Sequence, residues 1–220
     1  TGDFTIEGWI YPTATNTRCW YAHGNNDDNN YFRIDYAGSN PLMYLTVGGT
    51  DQFSVLTSGS PITINQWNHL AVARTAGTIT LYVNGTAEAT ASYSAAMPVW
   101  TNGGTFGIRK SGGRYWEVFT GYMDELRISN KARYTSNFTP STTAFSNDSN
   151  TLLLIHSDTS NNSTTFTDSS GAAKNTSGSI TSDVAANATY GQSIVKYTGT
   201  AGISDATKIG HGLSAAPEMI

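Results

Sequence analysis

The sequence predicts an all-β sandwich or jelly roll, and three observations point there. Apolar residues recur at period two, the runs are short, and turn-forming residues punctuate them at the 8–12-residue spacing expected of such folds. No amphipathic helical stretch exceeds about two turns. Phe4-Thr5-Ile6-Glu7-Gly8-Trp9-Ile10-Tyr11 alternates and stops at Pro12. Arg18 to His23, Tyr31 to Tyr36 and Leu42 to Val47 read as further strands. Between them lie Gly24-Asn25-Asn26-Asp27-Asp28-Asn29-Asn30 and Gly38-Ser39-Asn40-Pro41, both rich in turn formers. His69 to Arg74 and Ile79 to Val83 flank Thr75-Ala76-Gly77-Thr78. Asn84-Gly85 then turns the chain into Thr86 to Ala91, and Asn-Gly suits a type I′ turn because both residues tolerate positive φ. Phe106 to Arg109 and Val118 to Ser129 supply two more strands.

Length permits one all-β domain, or one domain plus a fragment, in these 220 residues. Charged residues make up 13% of the chain, against about 25% in ordinary soluble domains. Hydroxyls, amides and glycine take their place at the surface. The net charge of −4 gives no cationic surplus for phosphate, so nucleic acid is not an expected partner. No apolar run reaches the roughly 18–20 residues of a membrane helix, so no membrane span is expected. The single Cys19 cannot form an intrachain disulfide.

Composition shifts beyond about residue 140. Residues 146–189 are dominated by Ser, Thr, Asn, Asp and Ala, interrupted by one apolar strand, Thr151 to His156. So little apolar material cannot form its own core, and the segment must lie against something else or stay mobile. From Tyr190 a new β pattern begins, with Ser193 to Thr198, Gly210-His211-Gly212-Leu213 and Ala216 to Ile220. The last run reads as mid-strand, so a longer protein is expected at both ends.

Four motifs carry a family resemblance: Gly2 to Ile10, Trp67-Asn68-His69-Leu70-Ala71-Val72, Ile79 to Gly85, and Gly121-Tyr122-Met123-Asp124-Glu125-Leu126-Arg127-Ile128. In order and spacing they resemble the laminin-G-like jelly roll of the concanavalin A-like lectin/glucanase fold, over residues 1–145. The resemblance implies a strand upstream of Thr1 that this sequence lacks. Either the piece is trimmed, or strand 151–156 completes or flanks the sandwich; the need of Leu152 to Ile155 for burial favours the second. The expected organisation is therefore a jelly roll (1–145), a Ser/Thr/Asn-rich extension (146–189) and the truncated start of a further β module (190–220). The run Ala132 to Pro140 resembles the form found in bacteriophage tail-fibre and virion structural proteins. That implies a non-enzymatic module on the virion surface, with other virion subunits as partners, assembled as a homo-oligomer such as a trimer. It also implies contact with host glycans; a dedicated carbohydrate-binding adhesin is the alternative.

Catalytic chemistry finds little support in the sequence. A retaining glycosidase needs carboxyls about 5–5.5 Å apart. Asp3 and Glu7 share a strand face but lie about 13 Å apart, and the adjacent Asp124 and Glu125 should point to opposite faces. No Gly-x-Ser-x-Gly elbow accompanies the four histidines. His69 reads as a structural strand residue, and Cys19 as a half-buried strand residue. Glycan binding needs exposed aromatic faces beside polar groups. Trp9 and Trp67 occupy family core positions and read as packing. Trp100, Tyr115 and Trp116, next to glycine-rich loops, are the candidate sugar contacts, with Trp20 as a fourth. No cofactor is required, although the resemblance leaves room for one structural calcium ion, held by Asp124 with Asp3 as a neighbour.

Overall fold

The computed structural model describes residues 2–14, 18–25, 27–57, 61–101, 103–159 and 165–171, with the backbone of 181–187 and 192–198. All its regular elements are strands, in two compact units, Thr1–Ser170 and Gly171–Ile220.

Two sheets form the first unit. The six-stranded sheet has the order β13-β12-β1-β6-β7-β8, built from β1 (Phe4–Pro12), β6 (Asn68–Thr75), β7 (Thr78–Val83), β8 (Thr86–Ser92), β12 (Gly121–Ser129) and β13 (Thr151–Ile155). The five-stranded sheet has the order β5-β4-β3-β2-β9, from β2 (Arg18–Gly24), β3 (Tyr31–Ala37), β4 (Asn40–Val47), β5 (Thr50–Leu56) and β9 (Thr105–Phe106). A small hairpin, β10 (Arg109–Ser111) with β11 (Arg114–Trp116), stands apart from both ladders.

Period two explains the layering. Ile6 and Ile10 of β1, Leu70 and Val72 of β6, and Ile79, Leu81 and Val83 of β7 point inward. They meet Trp20, Phe32, Ile34, Tyr36, Met43 and Leu45 of the other sheet in one core. The Asn84-Gly85 turn has φ of 50° and 81°, as a type I′ hairpin requires. β13 pairs antiparallel with β12, Leu126 opposite Ile155, and forms one edge of the six-stranded sheet. Leu154 is buried there, so this strand of the polar extension belongs to the first compact unit.

Three strands are additional to those read from the sequence, β5, β11 and the strand Thr181–Asn187 of the second unit, and a predicted one is divided. Gly107, with φ of 77°, breaks Phe106 to Arg109 into β9 and β10. The second unit is described by a hairpin of β14 (Thr181–Asn187) and β15 (Gln192–Thr198). Its first strand arises within the Ser/Thr/Asn-rich stretch. The runs Gly210 to Leu213 and Ala216 to Ile220 lie outside the described residues.

Candidate functional site

The outer face of the five-stranded sheet carries a chain of charges. Tyr31, Arg33 and Asp35 alternate with the core residues Phe32, Ile34 and Tyr36 along β3, so all three face outward. The Arg33 guanidinium lies over the rings of Tyr31 (5.3 Å) and Tyr44 (4.6 Å), its cross-strand neighbour. Arg33 donates to Glu117 at 3.0 Å and pairs with Asp35 at 3.1 Å. The Asp35 contact lacks hydrogen-bond alignment, and both carboxylate oxygens are buried. Burial pushes the Asp35 carboxyl up to about 6 despite the Arg33 charge, with Glu117 adding to the rise. Cys19, opposite Asp35 in β2, is buried, and burial with the Asp35 charge raises its thiol well above the ordinary range. That environment makes it a packing residue and not a nucleophile.

The chain of charges continues into the β10–β11 hairpin. Arg109 donates to Glu117 at 2.9 Å and to Asp28 at 2.7 Å, and Asp28 also accepts from the Ser111 hydroxyl. The Ser111 bond and Arg109 hold the Asp28 carboxyl below its usual range. Glu117 adopts φ of 51° directly after β11, and its carbonyl accepts from the Cys19 N–H, which ties the hairpin to β2. Arg109 and Trp116 are cross-strand partners and share a hairpin face; Lys110 and Tyr115 share the other. Tyr115 is 64% exposed and Trp116 45% exposed.

The four aromatic candidates therefore separate. Tyr115 and Trp116 are both exposed, on opposite faces of the hairpin. Trp100 is half-buried against the core, T-shaped on His23 at 4.8 Å, and lines a slot with Met97 and Pro98. Trp20 is a correction: it is fully buried and T-shaped on Phe106, so it cannot meet a sugar. A register shift between Cys19 and Tyr21 turns both Trp20 and Tyr21 into the core, which simple alternation does not anticipate.

The outer face of the six-stranded sheet is organised in rows across its strands. One row sets Ser129, Thr5 and Ala73 side by side, and the next sets Arg127, Glu7 and Ala71. Residues 130–146 cover these rows as a strap. Glu7 has a fully buried side chain. Its carboxylate accepts from Arg127 at 2.8 Å and from the Tyr134 hydroxyl at 2.7 Å, and it faces His69 Nε2 at 3.4 Å. Burial alone would raise its pKa, but His69, the Arg127 charge and Tyr134 outweigh that and hold it low. Tyr134 and Phe138 stack at 3.5 Å over Ala71, Ala73 and Tyr82. Phe138 N–H donates to the Gly85 carbonyl, and a Cβ on Gly85 would collide with the Phe138 carbonyl. His69 is structural, ringed by Trp9, Tyr134, Phe138 and Phe145.

Past the strap the same face opens. The next rows are Asp124, Trp9 and His69, then Tyr122 and Tyr11 with Trp67 beside them. Tyr11 makes T-shaped contacts with Trp67 at 5.7 Å and with Tyr122 at 5.8 Å. Trp67 is 47% exposed and Tyr122 66%. The expectation that Trp9 and Trp67 serve only as packing is thereby corrected. They line a groove of about 310 Å³ with Asp124, Glu125, Thr142, Thr143 and Ala144. Trp9 is held in place by a bond from its indole N–H to the Ser141 carbonyl at 3.2 Å.

Adjacent Asp124 and Glu125 both line this groove, contrary to the opposite faces expected of a regular strand. A β-bulge opposite Gly8 is responsible, with Glu125 at φ of 51°. Glu125 Oε2 accepts from the Phe145 N–H at 2.6 Å, and Oε1 meets His156 Nδ1 at 2.8 Å. Asp124 Oδ1 accepts from the Glu125 N–H, and among the described residues no donor is bonded to Oδ2. Burial raises the Asp124 carboxyl, a rise moderated by that N–H and increased by the charges of Glu125 and Asp158.

A profile of the concanavalin A-like lectin/glucanases superfamily, of the laminin G type, matches residues 1–137. The chain belongs to this superfamily. A second profile, a domain of unknown function, matches residues 118–220. No curated protein matches the sequence. Solved structures share the fold at low identity. The CBM40 of the Ruminococcus gnavus IT-sialidase, bound to α2,3 sialyllactose, aligns with a TM-score of 0.54 at 16% identity, over 61% of this chain and 78% of that one. A Bacteroides ovatus protein inferred to bind carbohydrate gives 0.60 at 17%, over 77% of this chain and 50% of that one. The NanB sialidase of Streptococcus pneumoniae gives 0.53 at 19%, with only 23% of that chain covered.

In this concanavalin A-like sandwich Asp3 and Asp124 do not form a shared calcium site. Asp124 lies opposite Trp9, six residues along β1 from Asp3, or about 20 Å at roughly 3.3 Å per residue. Asp3 instead accepts from the Ala76 N–H at the β6–β7 turn. Among the described residues no group of three or more acidic, histidine or cysteine side chains is arranged to hold a metal. The residues present do not fit the family's calcium ion at this pair.

Proposed function

We propose that this protein is a non-catalytic surface-display module of a bacteriophage virion that contacts saccharides through its β10–β11 hairpin. The observation that carries the saccharide reading is the hairpin itself. It lifts Tyr115 and Trp116 into solvent, anchored by the Arg109–Glu117–Arg33 ion pairs. Such a mount supplies aromatic faces for sugar C–H packing on a rigid base. Exposed Lys110 and Arg114 on the same hairpin favour an acidic saccharide. The fold's likeness to a module bound to α2,3 sialyllactose supports this chemistry. The virion setting, with neighbouring virion subunits as partners in a homo-oligomer, rests on the resemblance of Ala132 to Pro140.

A glycan array probed with multivalent protein, in calcium and again in EGTA, tests the reading, because avidity makes weak single sites visible. Binding to acidic glycans that Trp116→Ala and Tyr115→Ala abolish supports it. Binding unchanged in both variants, or a blank array with folded protein, overturns the hairpin as a sugar site. Loss in EGTA alone would place a cation in the site.

A further inference from the structure

The open rows of the six-stranded sheet carry a second inference, which rests on the saccharide-binding reading and adds an independent site to it. We propose that the groove lined by Trp67, Trp9 and Asp124, together with the row that Tyr11 and Tyr122 extend from Trp67, binds a neutral oligosaccharide. Three features define the ligand. The aromatic row crosses two inter-strand spacings, about 10 Å, which suits two consecutive pyranose rings. Its contacts are edge-to-face, at 69° and 66°, so the rings do not consume one another's faces, as the parallel Tyr134 and Phe138 do at 4°.

The second feature is polarity. Asp124 lines the groove, its Oδ2 has no bond from a described residue, and a carboxylate oxygen readily accepts sugar hydroxyls. Thr142 and Thr143, exposed on the strap, add hydroxyls to the lining. The third feature is charge. Among the described residues the charged groups lining the groove are the carboxylates of Asp124 and Glu125, and Glu125 is engaged by His156 and the Phe145 N–H. An anionic sugar would meet repulsion here, whereas a neutral one meets only acceptors and aromatic faces. The β10–β11 hairpin has the reverse character, with Lys110 and Arg114 exposed. The groove volume, about 310 Å³, lies within the range of small-ligand sites.

The test is electrophoresis of the full chain through native gels containing a neutral polysaccharide (β-1,3-glucan, galactomannan or dextran) or polygalacturonate as the acidic control. Retardation by a neutral polymer is expected. Trp67→Ala and Tyr122→Ala should each weaken it on the order of tenfold, while Trp116→Ala leaves it intact. Both groove residues are substantially exposed, and unchanged thermal unfolding of the variants verifies their fold. Failure of every neutral polymer to retard the wild type would overturn the proposal. So would retardation that survives both groove variants, or that Trp116→Ala removes equally. Sedimentation showing wild-type self-association that Trp67→Ala abolishes would also overturn it, by making this face an interface between copies. Neutral-polymer retardation alongside a blank acidic-glycan array would uphold the groove and reject the hairpin, so the two readings can fail separately.

Discussion

Thr5 and Glu7 occupy the same face of the same strand as Trp9 and Tyr11, yet the two pairs live in different surroundings. The strap covers the first pair, which carries a fully buried carboxylate bonded by Arg127 and Tyr134 and faced by His69. The second pair lies past the strap, in an aromatic row open to solvent. The two pairs share one strand face, so the face alone does not decide which residues are structural and which can meet a ligand. The reach of the covering segment 130–146 does, through points such as the Phe138–Gly85 backbone bond and the Trp9–Ser141 bond.

The largest effect should come from the covered half. Glu7→Gln leaves Arg127 buried beside a neutral group, at a cost of about 3–5 kcal/mol measured by chemical denaturation. Because the Glu7 pKa is lowered in the folded state, its contribution is present above the ordinary carboxylate pKa and fades as pH falls through the folded value. The gap between wild type and Glu7→Gln should therefore narrow in acid. A cost below about 1 kcal/mol would mean that the cover is not held by this charge.

Phe138→Ala removes the stack on Tyr134 and should cost about 2 kcal/mol, less than a fully buried phenylalanine because Phe138 is only partly covered. It should also speed hydrogen exchange at Gly85 and its neighbours, and unchanged protection there would uncouple strap from turn. On the opposite sheet Asp35→Asn tests burial without cover by a strap. The Asp35 pKa is raised to about 6, so its charged form opposes folding and the stability present below the unfolded pKa is lost as pH rises through 6. Asp35→Asn should exceed wild type by about 3 kcal/mol at pH 8 and converge with it near pH 4. Equal stability at both pH values would show that Arg33 fully compensates the charge. The smallest change in stability is expected for Trp67→Ala, within about 0.5 kcal/mol. A large loss would return Trp67 to the packing role that its motif position suggests.

The strands β1, β6, β7 and β8 are legible because their alternation is strict and the Asn84-Gly85 turn is chemically specific. β5 is harder: Thr50, Asp51, Gln52 and Ser54 are polar because it is an edge strand with one wet face. β11 has three exposed residues and no apolar alternation to detect. At the candidate sites, Tyr115 and Trp116 could be found because glycine-rich loops tolerate exposed aromatics. Trp20 could not be placed, since a bulge shifts the phase of β2. The groove was missed for a related reason. Motif membership marked Trp9 and Trp67 as family positions but could not say where a distant segment stops covering them. The usable signal was phase: Glu7, Trp9 and Tyr11 alternate against Ile6 and Ile10, which puts both aromatics on the charged face of β1.

The position of β1 at the middle of its sheet has a consequence for synthesis. Thr5 pairs with Ser129 on one side and Ala73 on the other. An emerging chain can zip β1, β6, β7 and β8 early, but β1 then waits with an unpaired edge until β12 is made. Such long-range closure slows folding and leaves a sticky intermediate on the way. The sparse charge and abundant hydroxyls and amides of this chain would keep that half-built sheet soluble while it waits.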